Sequence, residues 1–163
     1  MQGRQRTPQS PRDEAQLDAT SLTFALVVSR FNEDITRRLL QGAQECLTRQ
    51  GCPAEAIAVV WVPGAWEIPL AVKKMAQSGK YDAIVTLGAI IRGETPHFDV
   101  LAHAVPQELA RLQSEFELPV ILGVLTTDDV AQAEARAGSG SDNKGWEAAL
   151  VSIEMAHLLR KLN

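Results

Sequence analysis

The chain has 163 residues, 45% of them apolar, and a formal net charge of −4. That is the length of one ordinary domain, with enough apolar surface to bury a full core. An acidic chain with no run of Lys and Arg lacks the positive face that nucleic acid requires, and no apolar segment approaches the roughly 20 residues of a membrane span.

The first 18 residues, MQGRQRTPQSPRDEAQLD, are rich in Gln, Pro, Arg and Ser. Such a segment cannot bury enough surface to order itself, so residues 1–18 are expected to form a flexible arm ahead of a domain spanning 19–163. The arm lacks the apolar stretch of a secretory signal, and a cytoplasmic location is expected.

Four short apolar runs follow: residues 22–28 (LTFALVV), 56–62 (AIAVVWV), 83–91 (AIVTLGAII) and 120–125 (VILGVL). They are continuous rather than alternating and rich in Val and Ile, the pattern of strands covered on both faces. Helical patterns lie between them. Ile35, Leu39, Ala43 and Cys46 form one stripe, with Gly51 as its stop. Leu70, Val72 and Met75 belong to a second helix ending near Gly79. Residues 98–116 form a third, with a kink expected at Pro106, residues 130–137 a short fourth, and residues 145–162 a long closing helix. Cys46 and Cys52 make neither a CxxC pair nor a disulfide framework and read as reduced thiols. Strand–helix alternation of this kind predicts one α/β domain, a parallel sheet flanked by helices on both faces.

In open parallel sheets ligands bind beyond the carboxyl ends of the strands. Those ends carry SRFNED, VPGAWE, RGETPH and TTDD. In the third, Gly93, Glu94 and Thr95 precede a helix. They read either as a cradle of amides and a hydroxyl for phosphate, with the Glu94 side chain turned away, or as a plain N-cap with Pro96 at the first helical position. His97 follows, an imidazole able to carry a proton near neutral pH; His103 and His157 fall inside helices and read as structural. In the second, Trp66 either stacks on a planar ring or joins the core, and Glu67 either accepts from ligand hydroxyls or favours a helix N-terminus. In the first, Phe31 is an aromatic wall or a hydrophobic staple, ahead of Asn32 as a helix cap. Asp128 and Asp129 are expected to open the next helix rather than hold a metal. Arg136 and Lys144 flank a pliable Gly- and Ser-rich loop; they read as a ligand's cations or as a solvated connection.

Taken together, RFN at 30–32, VPGAWEIP at 62–69, LGAIIRGETPHFD at 87–99, GVLTTD at 123–128 and NKGWEAA…IEMA at 143–156 resemble the lumazine synthase family. The likeness runs from about residue 22 to 162, with the motifs in the family's order and spacing. It implies a flavodoxin-like domain with a four-stranded parallel sheet. It also implies the penultimate reaction of riboflavin biosynthesis: 5-amino-6-(D-ribitylamino)uracil and 3,4-dihydroxy-2-butanone 4-phosphate give 6,7-dimethyl-8-ribityllumazine, without cofactor or metal. By the same resemblance the site lies between adjacent subunits of a pentamer, and some members build 60-subunit icosahedral shells. The loop at 138–144 has the insertion-free length associated with shell formers, and riboflavin synthase is the implied functional partner. Phe31 and Trp66 would hold the pyrimidine. Ala65, Glu67, Ala89, Ile90 and Ile91 would line the ring and ribityl site. Glu94 and Thr95 would donate to phosphate, with Arg136 of the neighbour as countercharge; Lys144 of the neighbour would reach the pyrimidine, and His97 would transfer protons. Leu122 stands where many members carry Phe, and Trp66 replaces the more usual Phe.

Overall fold

A computed structural model describes residues 17–163, so the arm expected over 1–18 lies outside the described residues except for Leu17 and Asp18. Four strands, β1 (Phe24–Ser29), β2 (Ile57–Val62), β3 (Ala83–Ile91) and β4 (Val120–Thr127), form an all-parallel sheet in the order β2-β1-β3-β4. The helices are α1 (Glu33–Arg49), α2 (Ile68–Gln77), α3 (His97–Phe116), α4 (Val130–Arg136) and α5 (Lys144–Leu162). The expected α/β class is therefore borne out.

Because side chains alternate across a strand, each central strand feeds two cores. Leu26, Val28, Val85 and Leu87 pack with Leu39, Ala43, Cys46 and Ile153 of α1 and α5. Ala25, Val27 and Ile84 pack with Ile68, Val72, Val105 and Leu109 of α2 and α3. Burial on both faces holds for β1 and β3. It does not hold for the edges, where most of β2 is half-buried and β4 exposes Leu122 and Thr126. β4 also runs two residues past its expected end, because β3 extends to Ile91 and pairs with Thr126 and Thr127. α3 passes through Pro106 as one helix. Both thiols are buried and unpaired, and burial pushes Cys46 up to about 12.

α1 and α5 approach closely where α5 begins. The buried Asn143 side chain accepts from Gly145 N (2.8 Å) and Trp146 N (3.2 Å), and donates to Arg38 O (2.9 Å) and Gly138 O (2.8 Å). It caps α5 and ties that helix to α1 and to the preceding loop. Only glycines fit around it. A Cβ on Gly42 would lie 2.3 Å from Asn143 Oδ1, and one on Gly145 would lie 1.9 Å from Leu39 O. This packing fixes the position of Lys144. Gly145→Ala is expected to cost about 3 kcal/mol or more and Asn143→Ala about 2 kcal/mol in urea unfolding; wild-type midpoints for both would show that the helices are free to separate.

Candidate active site

The carboxyl ends of β1, β2 and β3 and the start of α3 enclose a cleft of about 810 Å³. Its floor is apolar and buried, formed by Ala65, Ala89 and Ile90 with the partly buried Ile91. Two aromatic side chains stand in it with most of their surface bare, Phe31 at 71% exposure and Trp66 at 60%. A staple or a core residue would be buried, and neither ring is; both line the cleft.

The first exit is held from both sides, which places Phe31. Arg30 N donates to Val62 O (2.8 Å) and Phe31 N to Pro63 O (3.1 Å), joining it to the second exit. Asn32 Nδ2 donates to Ala89 O (2.9 Å), joining it to β3. Asn32 sits in the left-handed region at φ 60°, which Asn tolerates better than most residues. It occupies the N-cap position of α1, yet its side chain makes no capping bond; in this left-handed conformation its Nδ2 is turned to Ala89 O instead. The simple cap expected from sequence is thus replaced by a bridge between two strand exits.

The third exit differs from its expected cap as well. α3 starts at His97 with Pro96, not Thr95, at the cap position. Thr95 Oγ1 accepts from His97 N at 3.5 Å, a marginal contact. Gly93, Thr95 and His97 line the cleft, with Glu67 across from them on the second exit; Glu94 is exposed and not among the lining residues. Phe98, Val100 and Leu101 complete the wall, residues that the sequence reading did not single out. Their signal was available: they occupy the helical turn that His97 opens.

Arg136, Lys144 and Leu122 are elsewhere on the chain. They line a second cleft of about 570 Å³ along β4 and α5, with Gln113, Val151 and Met155. Among the described residues the two clefts share no lining residue, and the first has no Lys or Arg on its walls. Arg136 Nη1 donates to Gln132 O (3.0 Å) and meets no carboxylate among the described residues. Lys144 Nζ is paired with Glu147 (2.6 Å) at the helix surface. Asp129 caps α4 through Gln132 N (2.8 Å), as its sequence position suggested. No group of three or more metal-ligating side chains occurs among the described residues.

The model of the family described as 6,7-dimethyl-8-ribityllumazine synthase matches residues 21–160. The chain belongs to that family. Among curated relatives, the 6,7-dimethyl-8-ribityllumazine synthases of two strains of Clostridium kluyveri are each 52% identical over 149 residues, covering 91% of this chain and 97% of their own length. Family membership bears out the resemblance read from the motifs, and with it an enzyme: a transferase acting in the condensation step of riboflavin biosynthesis.

Because the two cleft rings are largely exposed, Phe31→Ala and Trp66→Ala are each expected to change the unfolding free energy by less than about 0.5 kcal/mol. A loss of about 2 kcal/mol or more in either variant would mean that the ring is a packing residue after all.

Proposed function

We propose that this lumazine synthase family member carries out its condensation in the first cleft, completed by the second cleft of a neighbouring copy. The observation that carries the reading is the distribution of charge. Among the described residues, the cleft with the aromatic walls and His97 has no Lys or Arg on its walls, whereas Arg136, which meets no carboxylate among them, and Lys144 line a separate cleft of the same molecule. A phosphorylated substrate needs a countercharge as well as amide donors. Docking one copy's second cleft on the next copy's first cleft supplies it.

In this reading Phe31 and Trp66 clamp the pyrimidine over Ala65, Ala89, Ile90 and Ile91, and Glu67 accepts from the ribityl hydroxyls. The residue 93–95 amides and the Thr95 hydroxyl face the phosphate, with Glu94 contributing through its backbone. The neighbour brings Arg136 to the phosphate, and Lys144 and Leu122 to the ring. The amine attacks the ketone and water leaves as the imine forms. A proton is then removed next to the imine and phosphate departs; attack by the second ring substituent and loss of another water close the ring. The reactants' own amine and carbonyl supply the reactivity, so the protein chiefly orients them, and His97 relays the protons.

A contact between two unlike faces is heterologous, and when its rotation closes it makes a ring. We take that ring to be the pentamer implied by the family likeness, the short residue 138–144 loop favouring further closure into a 60-subunit shell. We take residues 19–163 as the catalytic domain, and the product would pass to riboflavin synthase in the cytoplasm. Sedimentation velocity separates pentamer and shell from a monomer, and a monomer that turns over at full rate would contradict the shared site.

Mixing the two substrates is expected to develop lumazine absorbance well above the uncatalysed rate; no excess over that rate would remove the reading. Arg136→Ala is expected to raise KM for the butanone phosphate about tenfold or more, with KM for the uracil little changed. His97→Ala should slow turnover about 10²-fold or less.

A further inference from the structure

The phosphate-facing loop has almost nothing to hold it. Residues 92–97 are all exposed, a Cβ on Gly93 would meet no atom within 4 Å, and over residues 93–95 the hydrogen bonding among the described residues comes down to the marginal Thr95–His97 contact, while Pro96 O already belongs to the first turn of α3, accepting from Asp99 N (3.1 Å) and Val100 N (3.4 Å). Packing therefore does not preset its amides. What crosses the base of the loop is Arg92. Its backbone N donates to Thr127 O at 2.9 Å, anchoring the loop's start to β4. Its guanidinium reaches past the loop to the first turn of α3, with Nη1 3.4 Å from Asp99 Oδ1 and its carbon 4.3 Å from the Phe98 ring centroid. Nε donates to Asp128 Oδ1 at 3.1 Å, and Asp128 is itself held through its backbone N by Gln132 Oε1 at 2.8 Å. Phe98 and His97 are cleft residues on the turn that Arg92 grips.

We propose that Arg92 is a positioning residue for the phosphate loop, bracing residues 93–96 between the β4 exit and the first turn of α3. The inference rests on the reading of this cleft as the phosphate site and deepens it. Arg92 is not the phosphate's countercharge: its guanidinium is engaged by Asp128 and Asp99, and it is not among the cleft-lining residues. The hydrogen bond to Asp128, with Asp99 adding to it, holds the guanidinium firmly in its charged form. The brace acts through entropy. A loop whose ends are tied before the anion arrives loses less freedom on binding it, so its amides bind more tightly without any new contact.

Two substitutions distinguish a brace from a nearby positive charge. The measurements are calorimetric titration with inorganic phosphate and steady-state KM for each substrate. For Arg92→Ala both ideas predict weaker phosphate binding, about fivefold for a partly exposed network of this kind. Asp99→Asn separates them. The brace predicts that this variant also binds phosphate more weakly and raises KM for the butanone phosphate, with KM for the uracil unchanged. A purely electrostatic role predicts tighter binding, because a negative charge near the anion has gone. Arg92→Lys, which keeps the charge but cannot span both carboxylates and the ring, should fall with Arg92→Ala. Phosphate affinity that is unchanged or improved in Asp99→Asn overturns the inference. Wild-type protein that binds phosphate yet forms no lumazine would instead count against the reaction assigned to the cleft, leaving the brace to be judged by the titrations.

Discussion

An anion held in a protein cleft needs positive charge close by, and among the described residues the cleft with the amides, the hydroxyl and the imidazole has no Lys or Arg on its walls. The chain does carry suitable cations, Arg136 and Lys144, but on a separate cleft lined by β4 and α5. This division of charge governs how the rest of the molecule reads. On the proposed reading each copy contributes half of two different sites, and Leu122, bare on the edge strand β4, lies on the face the neighbour would meet.

The fold serves each half by a different device. The aromatic half depends on hydrogen bonds between strand exits: the backbone of Arg30 and Phe31 is tied to β2, and the Asn32 side chain is tied to β3. Phe31 can therefore stay mostly exposed without being loosely placed. The cationic half depends on close packing, with Asn143 locked between Gly42 and Gly145 while it fixes the start of α5 from which Lys144 projects. Arg92 lies between the halves. It touches Asp99 on the turn beside His97 and Asp128 on the exit leading to the helix that ends at Arg136.

Much of this was legible in the sequence, for physical reasons that differ by element. The β3 run at 83–91 is bounded correctly because nine continuous apolar or small residues end at a charged one. β4 was cut short because Thr126 and Thr127 read as loop when their strand partners cannot be seen. Phe31 and Trp66 were visible as aromatics at strand exits, but only the fold shows that neither is buried as a packing residue. Asn32, Asn143 and Arg92 were the hard cases. Their bonds reach Ala89, Arg38 and Asp128, 57, 105 and 36 positions away, and no local pattern reports such partners.

The idea of a site made by two chains is tested most directly by assembling two impaired variants together, His97→Ala and Arg136→Ala, in mixed oligomers. Each variant has one intact half. If neighbours share sites, random mixing in equal amounts restores an unmutated His97 opposite an unmutated Arg136 at about a quarter of the interfaces, and activity rises well above that of either variant. Activity that stays at the average of the two separate variants would contradict the account, because it would mean that each chain completes its site alone.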